Sequence, residues 1–263
     1  MTEAHRQLGP GPFRAEHLHD GDRYELSNGH PIYCAPAGRD HADHNLTGSL
    51  MLATDPATEW AGVDAGYQAD GGTLRAPDIA VGPTPERDGW IPGAPLLAVE
   101  YASRGQDEQE LQSRIADLVA AGSRYVWVVR LVGPRRVEVY SQDQAMRIVG
   151  VDDTLQAPGI LRNPIPVRAL YERELAYDVA LTNLLQRRGY DSLEAFLAEN
   201  EARRVARGVV QGEIQALLAV LDARGMALSE AQRQTILNGR DPEQLRLWLR
   251  RAAVVDSADA LFR

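Results

Sequence analysis

The sequence predicts an α+β core followed by an all-helical C-terminal extension, on three observations. Two short apolar runs, residues 79–81 and 96–99, are bounded by Pro and Gly and have the length of buried strands. A helical stretch over 107–121 follows, ends at Gly122, and leads straight into a third apolar run over 125–129. From about residue 169 onward, apolar residues recur at helical spacing almost without interruption.

Taken in order, residues 13–35 read as a short helix and then a hairpin. Strands over 22–26 and 30–35 flank Ser27-Asn28-Gly29, and Asn-Gly is a strong tight-turn signal. Residues 39–53 read as a helix with His41 and His44 on one face. The pair has half the ligands of a zinc site, but no Cys or His follows at usable spacing, so zinc is disfavoured and His44 reads as a surface residue. Strands are expected over 59–69 and 73–81, joined by a Gly71-Gly72 turn, and again over 135–141 and 145–151. The Pro- and Gly-rich segment 156–167 reads as a loop, which sets the expected domain boundary: a core over 1–168 and an extension over 169–263.

Within the extension, a helix over 171–188 ends at Gly189, and a second begins at Asp191-Ser192 and runs through the charged stretch 199–207, with Gly208 and Gly212 weakening its middle. Ile214, Leu217, Leu218 and Leu221 form a narrow apolar stripe. Ser229 with Gln232 makes a capping box, and Asp241-Pro242 opens a last helix whose buried face is Leu245, Trp248, Leu249 and Ala252. Such a tail reads either as a bundle that packs on itself or as a surface for homo-oligomerisation or a partner.

The 263 residues can hold one or two domains, and an apolar content of 44% with 25% charged residues is ordinary for a soluble globular chain. No apolar run is long enough for a membrane span, the polar N-terminus lacks a signal-peptide core, and one cysteine forms no internal disulfide. These features point to a cytoplasmic protein. Cys34 reads as a small buried hydrophobe rather than a nucleophile. The net charge is −9, and residues 1–170 hold 15 Arg against 23 acids, so no basic stripe of the kind a tight nonspecific DNA binder uses is present.

Two acids stand out against this background. Asp78 opens one apolar run and Glu100 closes the other. Carboxylates on adjacent strand ends make a hard oxygen site suited to Mg²⁺ or Mn²⁺. The alternative is a turn residue after Pro77 and a solvated strand end. Against it, a carboxylate directly after the apolar run 96–99 is costly without a partner. Arg75, Arg104 and Arg114 are the local cations that could engage a phosphate.

These stretches resemble the PD-(D/E)XK nuclease superfamily and are similar, more narrowly, to the bacterial family of Uma2-like putative restriction endonucleases. Pro77-Asp78-Ile79-Ala80-Val81 matches the first part of that family's pattern. Ala98-Val99-Glu100-Tyr101-Ala102-Ser103 matches the second, and Gly122 with Tyr125-Val126-Trp127-Val128-Val129 matches the last, with Val126 interrupting the family's aromatic pair. The resemblance covers roughly residues 12 to 150. It implies a restriction-endonuclease-like mixed sheet flanked by helices, with Asp78 and Glu100 as metal ligands and the Tyr101 carbonyl as a further one. It places the family's helical acid at Glu110 and its helical Lys at Arg114. Through Tyr24-Glu25-Leu26 and Gly29 it brings Glu25 near the carboxylates, and the family often carries a His where His41 stands.

The departures are specific. Ala102 stands where the superfamily name expects Lys, Leu118 replaces an aromatic, and Arg114 replaces the helical Lys. Arg can stabilise phosphate charge but cannot give up its proton. The chain contains no Lys at all, so the change at 114 also follows composition. Two functions therefore stand: a Mg²⁺- or Mn²⁺-dependent endonuclease acting on DNA through Asp78, Glu100, Arg114, Glu110 and Glu25, or a catalytically inactive binding or regulatory module on the same fold.

Overall fold

The computed structural model describes residues 11–105 and 107–262. The chain divides into two compact units, Met1–Tyr190 and Asp191–Arg263.

In the first unit, β1 (Tyr24–Ser27) and β2 (His30–Tyr33) precede α1 (Arg39–Thr54). Strands β3 (Trp60–Val63), β4 (Tyr67–Gln68), β5 (Leu74–Arg75), β6 (Ile79–Gly82), β7 (Ile91–Pro92) and β8 (Leu97–Ala102) lead to α2 (Glu108–Ala120). Then come β9 (Tyr125–Arg130), β10 (Arg136–Ser141), β11 (Arg147–Gly150), β12 (Thr154–Leu155), β13 (Ile165–Pro166) and α3 (Arg173–Arg187).

The main sheet has the order β11-β10-β9-β8-β6-β3 and is antiparallel except between β8 and β9. A parallel pair needs a crossover, and α2 supplies it. Side chains alternate across this sheet with period two. Leu97, Val99 and Tyr101 of β8 join Ile79, Val81, Trp127 and Val129 in the larger core, under Met51 and Leu52 of α1. On the other face, Ala98 and Ala102 lie with Val126 and Val128 beneath Leu111, Ile115 and Leu118 of α2. Glu100 has the parity of Ala98 and Ala102, so it falls on the α2 face. α1 approaches β8 closely because of Gly48, where a Cβ would collide with the Tyr101 hydroxyl.

A smaller sheet, β2-β1-β5-β4-β7, carries the hairpin. Its turn has Asn28 at φ 49° and Gly29 at φ 80°, the paired left-handed conformation that Asn-Gly favours. Two expected strands are each divided in the structure. The stretch 59–69 breaks at Asp64, whose φ is 51°, and 73–81 breaks at Ala76-Pro77, where Pro77 has no backbone donor for a ladder. The halves join different sheets: β3 and β6 the larger, β4 and β5 the smaller. The 156–167 segment is bracketed by a short pairing of β12 with β13.

The largest difference concerns α3, which the sequence reading assigned to the extension. It lies in the first unit, against α1. The Asn183 amide donates to the Met51 carbonyl at 3.1 Å, and the Arg187 guanidinium donates to the carbonyls of Thr54, Asp55 and Thr58 at 2.6–2.9 Å. The division of the chain consequently falls at 190/191 rather than 168/169.

The second unit comprises α4 (Leu193–Ala223), α5 (Glu230–Leu237), α6 (Pro242–Ala252) and α7 (Ala258–Leu261). α4 is continuous through Gly208 and Gly212. Ile214, Leu217 and Leu221 pack with Ile236, Leu245, Ala252 and Leu261, and the expected Ser229–Gln232 capping box forms. No helix among the described residues is long and apolar enough to cross a membrane.

Truncation tests the place of α3. A chain ending after residue 190 should melt cooperatively, whereas one ending after residue 168 should lose several kcal/mol, since it uncovers α1 and orphans its carbonyls. Equal melting of the two would contradict the division.

Candidate active site

The pairing of β6 with β8 positions two acids. Its register matches Val81 with Leu97, Ala80 with Ala98 and Ile79 with Val99. Continued by one residue, it sets Asp78 opposite Glu100, where directly opposed Cβ atoms lie roughly 4.5–5.5 Å apart. Asp78 also completes the ladder with its side chain, because Oδ2 accepts the Tyr101 N–H at 2.6 Å. Both carboxylates are nearly inaccessible, at 8% for Asp78 and 3% for Glu100.

α2 brings the counter-charge. Asp107 caps the helix by accepting from the Gln109 and Glu110 N–H groups, which fixes its start. With Leu111, Ile115 and Leu118 turned to the sheet, Arg114 is directed along the sheet surface at Glu100. Its Nη1 donates to Glu100 Oε2 at 3.1 Å, and its Nη2 lies 3.2 Å from Glu25 Oε1 and 3.9 Å from Glu110 Oε1. Burial works against this guanidinium, but Glu100, Glu25 and Asp78 hold its pKa above the ordinary value, so Arg114 stays charged.

A second guanidinium lies deeper. Arg75, 2% exposed, bonds to Glu25 at 3.1 Å, Glu110 at 2.8 Å and Asp117 at 2.8 Å. It is fully committed to these carboxylates and unavailable to a phosphate, contrary to the expectation from sequence. Arg104 is exposed on the cleft. Glu25 links the two guanidiniums and accepts a weak bond from the Cys34 thiol at 3.6 Å. Burial, reinforced by Glu25, pushes that thiol up to about 12, which agrees with an unreactive Cys34.

Five carboxylates (Asp78, Glu100, Glu25, Glu110 and Asp117) thus surround two guanidiniums. Glu100 shows the imbalance. Its Oε1 is buried with no hydrogen-bond partner among the described residues. Burial raises its pKa well above the usual carboxylate range, Arg114 opposes this, and Asp78 and Glu25 add to it.

α1 closes the far side. His41 Nε2 lies 3.1 Å from Asp78 Oδ1, and this hydrogen bond raises the His41 pKa against the effect of burial. His44, expected on the surface, instead turns inward, with its ring 5.9 Å from that of Tyr101 and Nδ1 2.7 Å from the Asp40 carbonyl. Among the described residues no three His, Cys, Asp or Glu side chains are arranged to cage a metal. A hard cation that keeps most of its waters needs only one or two carboxylates, and the bare oxygen of Glu100 beside Asp78 suits that mode.

All five sequence-derived candidates come together here: Asp78, Glu100, Glu25, Glu110 and Arg114 line one cleft of about 770 Å³. Two further lining residues were not anticipated. Asp64 has its carboxyl pKa raised by desolvation and by Asp78. Asn45 follows His41 by one turn, and its Oδ1 is buried without a partner among the described residues. The sequence signal for Asn45 is its i,i+4 spacing from His41; for Asp64 the left-handed break shows only in the structure.

Comparison with known proteins bears on the fold. The Uma2 family, described as "Putative restriction endonuclease", matches residues 12–165. A solved structure, a putative nuclease belonging to DUF820 from Anabaena variabilis ATCC 29413, superposes with a TM-score of 0.54 at 16% identity, covering 63% of this chain and 99% of that one. Likeness at that identity is one of fold. No curated protein gives a significant match.

The uncompensated charge makes a prediction about stability. With divalent cations chelated, Glu100→Gln should melt at or above the wild-type temperature, because Gln removes a desolvated carboxylate and leaves Arg114 bonded to Glu25. A loss of about 3–5 kcal/mol, the usual result of breaking a well-compensated buried pair, would show that Arg114 already balances Glu100.

Proposed function

The chain belongs to the Uma2 family of putative restriction endonucleases, and from that premise we propose that it is a divalent-cation-dependent endonuclease hydrolysing DNA phosphodiester bonds at the Asp78–Glu100 cleft. The observation that carries this reading is Glu100 Oε1, buried beside Asp78 without a partner among the described residues. Buried charge requires compensation, and a hard cation supplies it.

Asp78 and Glu100 would hold Mg²⁺ or Mn²⁺, with the Tyr101 carbonyl as a further oxygen. When bound, such a cation polarises a phosphate and lowers the pKa of an attacking water. The protein's own groups do the rest. The Tyr101 N–H and His41 fix both oxygens of Asp78, which spares the ligand a reorganisation on binding. Arg114 provides the positive charge nearest the carboxylate pair and stabilises charge developing on the phosphate. Glu110 and Glu25 orient Arg114, and Arg75 in turn anchors both acids. Exposed Arg23 and Arg104 on the cleft meet the DNA backbone, and the acidic surroundings make DNA binding weak until a cation is present.

One observation favours a second reading, a catalytically inactive binding or regulatory module. Arg114 occupies the position of the family's helical Lys, cannot act as a base, and is engaged by acidic partners. Nicking of supercoiled plasmid separates the two readings. The enzyme reading expects wild-type cleavage with Mg²⁺ or Mn²⁺, none above background for Asp78→Ala, and a loss of about 10²–10³-fold for Arg114→Ala. Absence of cleavage by purified wild type with either ion would leave the inactive module. Undiminished cleavage by Asp78→Ala would move the chemistry away from this cleft.

A further inference from the structure

The first unit carries an apolar face that its own fold leaves uncovered. α1 and α3 run side by side in the same direction. Arg173 pairs with Asp43 near their starts at 3.3 Å, and Asn183 and Arg187 meet the end of α1. At about 100° per residue, Ala176, Ala180 and Asn183 face inward and towards α1, which turns Tyr177, Leu181 and Leu184 to the outer side bordering it. On α1, Met51 and Thr54 face α3, and Leu46 and Leu50 border the same outer side. These five large residues are 41–64% exposed.

We propose that this face binds a second copy of the chain, with the α3 helices antiparallel about a two-fold axis through Leu181. The outer stripe of α3 reads Glu174, Tyr177, Leu181, Leu184, Arg188, the alternating spacing of three and four that forms a coiled-coil seam. Glu174 and Arg188 each lie seven residues from Leu181, and both are exposed. An antiparallel pairing centred on Leu181 therefore sets Glu174 of each copy against Arg188 of the other. The interface is self-complementary, as a two-fold contact must be. Acid at the start of a helix and Arg at its end also suit the helix dipole. The dipole does not account for the apolar residues between them, which a monomer exposes at a cost in solubility. Leu46 and Leu50 widen the contact from a single seam to a helix pair on each side.

Sedimentation velocity of the full-length chain across the micromolar range tests this. The expected result is a dimer that Leu181→Arg converts to a monomer whose first unit still melts cooperatively, at a temperature lowered only by the lost association. Charge reversal supplies a reading independent of any effect of Leu181→Arg on α3 itself. Arg188→Glu should weaken the dimer several-fold, and Glu174→Arg combined with Arg188→Glu should restore it. A wild-type monomer at every concentration overturns the proposal. So does a dimer indifferent to Leu181→Arg, or a charge-reversed pair no tighter than the single variant.

Discussion

The structure depends on the cost of burying more carboxylates than there are cations to balance them. Asp78 and Glu100 meet across β6 and β8 in a region that water barely reaches, and like charges so placed repel. The chain spreads that cost over a network. α2 delivers Arg114, the small sheet delivers Arg75 and Glu25, and α1 delivers His41. The compensation is incomplete: among the described residues Glu100 Oε1 and, on the cation side, Arg114 Nε are both buried without a hydrogen-bond partner.

Positioning follows from ordinary elements. Alternation along β8 puts Leu97, Val99 and Tyr101 on one face and leaves Glu100 the odd member of an otherwise small, apolar row on the other. The α2 crossover that the parallel β8–β9 pair demands is also the carrier of Arg114 and Glu110. Gly48 lets α1 close on Tyr101, which keeps His41 within reach of Asp78. Scaffold and site share the same residues, so changes in the β8 row or at Gly48 should be felt in the cleft.

Features set by local chemistry were legible in the sequence. The Asn28-Gly29 turn, the helix starting at Asp107 and the Ser229 capping box each follow from a few neighbouring residues. The Asp78–Glu100 pair was legible too, since each acid abuts a short apolar run. What depended on distant partners was not. Apolar spacing shows that 171–188 is helical but not that Asn183 and Arg187 tie it to α1, so the spacing alone groups α3 with the extension. Arg75 looked like a free cation until three acids from other elements were brought around it. His44 looked solvated until Tyr101 was placed beneath it. Asp64 reaches the cleft only through tertiary folding, and Asn45 is marked by nothing more than its i,i+4 spacing from His41.

Calorimetric titration of Mn²⁺ into the chelator-stripped protein across pH tests the central claim most directly. Glu100 has a raised pKa, so a proton competes with the cation below that value, and the competition fades as pH rises through it. The account predicts a single site whose affinity rises with pH, by up to about tenfold per unit while one proton is displaced. That binding should disappear in Glu100→Gln. Binding independent of pH and equal in wild type and Glu100→Gln would contradict it, and would mean that the buried carboxylate pair is compensated within the fold rather than completed by a cation.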